Sequence, residues 1–364
     1  MSFKSAVNSA VRHGKGVATM LENIKTKEFS VLGIGEVMLR LSPVGKERVS
    51  QSETFEKMAG GSELNVVAGI SQLGLRTGIV TVIPNNEIGK FIKNKIRYSG
   101  ISDDYIIYDS SPEKRLGIYY YESGAYPRVP VVTYDRAMSS FARFNIDSLN
   151  TDVYDSTNVF HLSGITLALG ENVRKSVIRM LREFKRRGVY VSFDVNYRAS
   201  LWDEDTARET ILSILPMIDI LFVSEETLRR MFARKGELRD IHKALAEEFP
   251  GLKMIASTMR QVVSPTKHTF TSLVYDCEKK THFSEEPYTD IEVIDRIGSG
   301  DAYVAGALFG ALKYNSAEEA CRFGNAMAAV KNTIPGDMTV CDFDDITRVI
   351  RSHSSVGYKS EMVR

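Results

Sequence analysis

The sequence predicts an α/β fold: a mostly parallel central sheet covered by helices in three layers, with a small β-sheet lid beside it. Three observations carry this expectation. From residue 29 onward, apolar strand-like runs alternate with amphipathic helical segments, the pattern of a parallel sheet buried on both faces. Residues 37 to 57 and 115 to 134 break that rhythm with β-prone residues and no helix. Glycine-rich turns stand directly before helices at two places far apart in the chain, at Gly60-Gly61 and at Gly298-Ser299-Gly300.

The elements follow in order. Ser30 to Glu36 reads as a buried strand. Glu63 to Leu73 reads as a helix with Leu64, Val66, Val67, Ile70 and Leu73 on its apolar stripe, stopped by Gly74. Gly78 to Ile83 is a strand and Ile88 to Tyr98 an amphipathic helix. Further strands are expected at Val159 to Leu162, Val189 to Asp194, Ile218 to Val223, Met254 to Ser257 and Thr271 to Tyr275. Helices are expected between most of them and at Ala302 to Leu312 and Ala317 to Asn332. In the two irregular regions, Leu116, Ile118, Tyr120, Val129 and Val131 suggest short strands of a separate sheet, a lid over the core. An extended edge of the main sheet is the alternative. The domain reading is an extension over 1–28, a single domain over 29–352 and a tail over 353–364. In the extension Val17, Met20, Leu21 and Ile24 fall at helical spacing and suit a short packing helix.

Composition narrows the function. The chain of 364 residues is 43% hydrophobic and 26% charged, ordinary values for a globular protein. With 47 Lys plus Arg against 46 Asp plus Glu, it carries no charge excess that would suit a nucleic-acid or membrane partner. No apolar run approaches the length of a membrane span. Cys277, Cys321 and Cys341 lack metal-like spacing and the six His residues form no cluster. With no secretory leader evident, these features predict a reduced, cytoplasmic setting.

Two motifs carry chemistry. In Asp295-Arg296-Ile297-Gly298-Ser299-Gly300-Asp301, small residues at a helix start leave backbone N–H groups open to one point, where the helix dipole is positive. That is an anion site suited to phosphate. Asp301, in the first helical turn, would face the same anion and could accept a proton from an attacking hydroxyl. A capping Asp after a glycine turn is the plainer alternative. In Gly60-Gly61-Ser62-Glu63-Leu64-Asn65, the glycine pair lets the backbone approach a ligand, and Asn65 can hydrogen-bond a sugar hydroxyl. Gly33-x-Gly35 is too short for a dinucleotide fingerprint.

Together, Gly-Gly-x-x-x-Asn-x-x-Ala over Gly60 to Ala68, followed by Leu73-Gly74 and Gly89, and Asp-x-x-Gly-x-Gly-Asp-Ala over Asp295 to Ala302, resemble the two signatures of the PfkB (ribokinase-like) carbohydrate kinases. The resemblance runs from about residue 29 to 350. It implies the three-layer fold with a lid, Mg-ATP as phosphoryl donor, Asp301 as base and the Gly298, Ser299 and Gly300 backbone as anion hole. Within the family, Gly35 to Pro43, Leu116 to Tyr120, Asp194-Val195-Asn196-Tyr197-Arg198 and Leu201-Trp202 resemble 2-keto-3-deoxygluconate kinases. A sugar acid needs a cation for its carboxylate, and the Arg198 guanidinium can hold both oxygens; a surface ion pair with Asp203 is the alternative. The resemblance also implies Gly61, Tyr120 and Asp337 at the sugar and Asn196, Ser224, Thr258, Arg260 and Asn325 at the nucleotide. Tyr120 suits simple lid packing equally well.

Three departures stand out. Ser299 replaces the family's usual Ala. The family's Asn-x-x-Glu motif, tied to magnesium and phosphate, is replaced by Ser224 and Thr227, with Glu225 and Glu226 the candidate substitutes as metal ligands. The nucleotide-loop Lys-x-Gly becomes Ser257-Thr258-Met259-Arg260. The reading is transfer of the ATP γ-phosphoryl group to a sugar-acid hydroxyl, with Mg²⁺ required and a homodimer or higher homo-oligomer expected through the lid edges. The rivals are a related kinase acting on fructose, ribose or a deoxy-keto-gluconate relative, and a non-catalytic sugar- or nucleotide-binding protein.

Overall fold

The structure is a computed structural model, and it describes residues 20–22, 24–264 and 266–354. The first half alternates as expected: β1 (Phe29–Ile34), β2 (Met38–Pro43), β3 (Phe55–Gly60), α1 (Ser62–Gln72), β4 (Thr77–Pro84), α2 (Glu87–Tyr98), β5 (Ile106–Asp109), β6 (Gly117–Glu122) and β7 (Val131–Asp135). There follow β8 (Thr157–Ser163), α3 (Gly164–Ala168), α4 (Glu171–Arg186), β9 (Tyr190–Asp194), α5 (Glu204–Ile214), β10 (Ile220–Phe222), α6 (Glu225–Arg230) and α7 (Leu238–Glu248). The chain ends with β11 (Met254–Ser264), β12 (Lys267–Asp276), β13 (Thr281–Phe283), β14 (Tyr288–Glu292), α8 (Ser299–Tyr314), α9 (Ala317–Asn332) and α10 (Phe343–Ser354).

The large sheet runs β13-β12-β11-β10-β9-β8-β1-β4-β5, with β14 on β12. From β5 to β11 the pairings are parallel; β12, β13 and β14 join antiparallel. Burial on both faces explains the unbroken apolar runs. In β1, Val31 packs into one core with α1, α8 and α9, while Leu32 and Ile34 pack into the other with α4, α5 and α7.

The lid is a separate four-stranded sheet in the order β3-β2-β6-β7, so the edge-strand alternative is excluded. Its inner face differs from expectation. Tyr119 and Tyr121 are buried, whereas Tyr120 lies on the other face, packed edge-on against Phe55 at 6.1 Å between ring centroids. The strand was foreseen, but its alternation has two phases and the core decides between them. Strand β11 is longer than expected because it continues into an antiparallel hairpin with β12.

In the N-terminal segment Met20 and Leu21 are buried without helix, and Ile24 is 41% exposed; Val17 lies outside the described residues. The Leu21 amide donates to Asn315 Oδ1 at 2.9 Å, tying the segment to the end of α8. Helix α10 reaches Ser354, two residues beyond the expected domain end.

Candidate functional site

Where the parallel strands end, α1 and α8 begin. The two N-termini and the exits of β9, β10 and β11 surround a polar cavity of about 670 Å³. Ligands in open α/β sheets bind outside the carboxyl ends of the strands for this geometric reason. The first turn of α8 is entered through Gly298 at φ 81, a left-handed conformation open to glycine. A Cβ there would also lie 2.0 Å from the Asp337 carbonyl oxygen, so the turn is too tight for any other residue. Gly298, Ser299, Gly300 and Asp301 all line the cavity. First-turn amides of a helix have no carbonyl partner four residues back and can turn to a ligand.

Asp301 is held by two neutral donors from α1. Ser62 Oγ donates to Oδ1 and Asn65 Nδ2 to Oδ2, each at 2.7 Å. Asn196, at φ 33 after β9, donates through Nδ2 to Ser62 Oγ at 2.9 Å. Helix α1 thus fixes the carboxylate directly, and the loop after β9 steadies it through Ser62. Burial pushes the Asp301 carboxyl up to about 6, against the pull of the Asn65 and Ser62 hydrogen bonds. Asp194, at the end of β9, is pushed up to about 7 by burial and by the neighbouring Asp301 charge. A carboxylate with that affinity for protons, in reach of an acceptor hydroxyl, can act as a general base.

Arg198 follows on the same loop. It is exposed on the cavity wall, and among the described residues its one hydrogen bond runs from Nη1 to the Tyr197 carbonyl at 3.3 Å. It makes no ion pair among the described residues. Asp203, the suspected partner, instead caps α5 by accepting from the Thr206 amide at 2.8 Å.

The other expected site residues divide. Gly61, Asn65, Asn196, Ser224, Thr258, Arg260 and Glu226 line the cavity. Tyr120 and Glu225 do not; Glu225 pairs with Arg229 at 2.6 Å, one helical turn away. Asn325 is fully buried, donates to Glu285 at 3.0 Å and is absent from the cavity wall. Asp337 borders the cavity, but its carboxylate is buried against Arg40 and Tyr119 and so is not free for a sugar. Ser224 does not reproduce the chemistry of an Asn: its Oγ caps α6 by accepting from the Thr227 amide at 3.1 Å.

The structure adds residues that no motif pointed to. Tyr119, Tyr134 and Arg136 bring the lid to the cavity. Arg136 Nε donates to Glu36 Oε2 at 2.8 Å, while Glu36 Oε1 is buried with no hydrogen-bond partner among the described residues. Arg296 lines the wall near Arg260, with Glu226 a further charged neighbour. The Gly33-x-Gly35 segment has a packing role. A Cβ on Gly35 would lie 2.1 Å from Glu63 Oε2, and Glu63 is itself buried on Ser163 and Thr166.

The model for pfkB family carbohydrate kinases matches residues 29–342. The chain belongs to that family. This kinase is 31% identical over 317 residues to the 2-dehydro-3-deoxygalactonokinase of Haloferax volcanii, covering 87% of this chain and 95% of the relative. The 2-dehydro-3-deoxygluconokinase of Thermotoga maritima superposes with a TM-score of 0.84 at 30% identity, covering 89% of this chain and 98% of the other. A PfkB family kinase from Listeria grayi gives 0.83 at 32% identity, over 88% and 99%. The kinase therefore transfers a phosphoryl group to a sugar hydroxyl. As a host for a nucleotide polyphosphate the cavity fits, with two helix N-termini and the guanidinium groups of Arg260 and Arg296 facing it. As a host for bare Mg²⁺ it offers no group of three or more carboxylate, His or Cys ligands among the described residues.

Proposed function

We propose that this kinase phosphorylates a 2-dehydro-3-deoxy sugar acid, most simply 2-keto-3-deoxygluconate to its 6-phosphate, using ATP and Mg²⁺. The observation that carries the reading is Arg198, a cavity guanidinium that feels the Asp194 and Asp301 charges but makes no ion pair among the described residues. A neutral sugar has no use for it, while an acid's carboxylate accepts its fork at both oxygens. Two relatives that cover most of the chain are named for acids of this class. Asp301 takes the proton of the attacking hydroxyl, positioned by Ser62 and Asn65. The Gly298–Gly300 backbone holds the transferring phosphoryl group, and Asn196, Ser224, Thr258 and Arg260 hold the nucleotide phosphates. Mg-ATP would supply the phosphoryl group and part of its charge neutralisation; Glu226 would help hold the metal. Gly61 and Asn65 orient the sugar.

The reading places the reaction in the cytoplasm, with the lid shared between two copies of the chain. Val44, Val129 and Val131 on the lid are exposed and suit such a contact. The galactonate epimer is the second candidate acceptor, because the carboxylate argument is the same for both. An ADP-release assay over 2-keto-3-deoxygluconate, 2-keto-3-deoxygalactonate, 5-keto-2-deoxygluconate, fructose and ribose tests the assignment. A keto-deoxy acid is expected to give the highest kcat/KM. A neutral sugar in first place would overturn the sugar-acid reading.

A further inference from the structure

Against the turn at Gly298 lies a buried group of four charged side chains that phosphoryl transfer does not itself require. Arg40, on lid strand β2, is 3% exposed and does not line the cavity. Its Nη1 donates to Asp337 Oδ1 at 2.7 Å, its Nη2 to Asp295 Oδ2 at 2.6 Å and its Nε to Ser42 Oγ at 2.8 Å. The guanidinium sits 4.4 Å from the ring centroid of Tyr121, on lid strand β6. From the same strand, the Tyr119 hydroxyl donates to Asp337 Oδ2. The lid therefore reaches two core carboxylates with three donor groups.

Those carboxylates belong to the loops that shape the phosphate turn. Asp295 accepts from the Ile297 amide and from the Gly336 amide, both at 3.0 Å, so one carboxylate joins the loop before α8 to the loop after α9. Lys331, fully buried on α9, donates from Nζ to the carbonyls of Asp295 at 3.1 Å and Ile334 at 3.0 Å. The Asp337 carbonyl abuts Gly298 itself. Lid and two loops are thus one continuous hydrogen-bonded unit, with the turn at Gly298 packed directly against it.

We infer that Arg40 and Tyr119 latch the lid to the loops behind the anion-binding turn, so that lid position and phosphate cradle are set together. The physical reason is the expense of unpaired buried charge. Moving the lid withdraws Arg40, and two carboxylates then face a low-dielectric interior with only Lys331 nearby, whose ammonium is hydrogen-bonded to backbone carbonyls rather than to either carboxylate. They relax by shifting or by admitting water, and both responses displace Gly336, Ile297 and the turn they hold. The cradle keeps its shape only while the lid is shut, which favours transfer to a bound sugar over transfer to water. Arg40 is a positioning residue, since it acts through Asp295 and Asp337.

The test is hydrogen exchange on the ligand-free enzyme, comparing wild type with Arg40→Met and Arg40→Lys. In Arg40→Met, exchange in β2, in β6 and over residues 295–301 is expected to rise together by about tenfold or more, while β8 and β9 stay within about twofold. Turnover should fall by about 10²-fold, the scale of a small misplacement of reacting groups. KM for ATP should change little, and acceptor-free ATP hydrolysis should rise relative to sugar phosphorylation. Arg40→Lys keeps the charge without the fork and should fold and fall between the two, which covers the case of Arg40→Met failing to fold. Lid exchange unchanged from wild type, a lid that loosens while 295–301 does not, or lid and core strands loosening equally would overturn the latch. The inference rests on the phosphoryl-transfer reading only for its kinetic arm. The exchange arm needs no acceptor, so a wrong sugar assignment shows in the substrate panel and not here.

Discussion

Asp301 and Arg198 face the same cavity in opposite physical circumstances. Asp301 is fixed by two side-chain donors from α1 and shifted in pKa by burial, and its backbone opens a helix of 16 residues. Arg198 is exposed on a loop, with one long contact to a neighbouring carbonyl. The comparison teaches that the carboxylate proposed as base is held by the chain's own side chains before any ligand arrives, whereas the guanidinium proposed for recognition is left for its ligand to engage. A base must be within hydrogen-bond reach and at the right proton affinity, so it needs rigid support. A guanidinium that recognises a carboxylate is strongest when nothing else has already claimed its fork.

The largest effect should come from breaking the built end. Asp301→Asn keeps the shape and removes the base, and turnover should drop by about 10²–10⁴-fold, with ATP affinity retained in a direct binding measurement. More than about a tenth of wild-type turnover would contradict the role, being far above that range.

Breaking the recognition end should cost less and act selectively. Arg198→Ala should lower kcat/KM for the acid by about 10–10³-fold, from charged hydrogen bonds of roughly 1.5–3 kcal/mol each. Arg198→Lys should recover part, and fructose, a poor substrate throughout, should lose little. Equal loss for acid and neutral sugars would make Arg198 a structural residue.

The pH profile sharpens the same contrast. In the proposed role of base Asp301 must be deprotonated, and its raised pKa of about 6 then places the acid limb of kcat/KM there: activity should rise with pH through that value. Asp194 titrates nearby, so the limb belongs to the pair. Asn65→Leu removes a hydrogen bond to the charged form and should move the limb to higher pH, whereas Arg198→Lys, which keeps the positive charge, should move it little. A limb that stays in place in Asn65→Leu would detach the titration from Asp301.

The smallest effect is expected at the metal. Glu226→Gln should raise the Mg²⁺ concentration for half-maximal activity by only a few-fold, about what one water-mediated contact contributes. Glu225→Gln should leave it unchanged, because Glu225 is off the cavity wall and tightly paired with Arg229 at 2.6 Å, whereas Glu226 lines the cavity and lies 3.8 Å from Arg230. A larger shift for Glu225 than for Glu226 would reverse the assignment.

Much of this was legible in the chain, and the limit has a physical shape. Apolar periodicity and glycine stops are local, so the alternation, helix α9 to the residue and the existence of the lid could be read from neighbours in sequence. The turn Gly298 to Asp301 was legible for the same reason, since a helix start with small residues and a carboxylate is chemistry written within one helical turn. Nothing local says which face of a lid strand meets the core, so Tyr120 was favoured where Tyr119 does the facing. Nor does it say which of two adjacent glutamates borders a cavity, which is how Glu225 and Glu226 stood as equals. Asn325 and Asp337 matched positions in a pattern, but one is sealed beneath the helices and the other is consumed by an ion pair.

What only tertiary structure decided is who meets whom across the chain. Arg40 joins partners 255 and 297 residues away, and Ser62 and Asn65 meet Asp301 across 239 and 236. Sequence by itself determined the element types, the parallel sheet and the phosphate turn, because those follow from backbone geometry and from the spacing of apolar side chains. The support of Asp301, the freedom of Arg198 and the latch at Arg40 depend on which strands and helix ends become neighbours. That is settled by burying both faces of the sheet at once, a condition no short stretch of sequence contains.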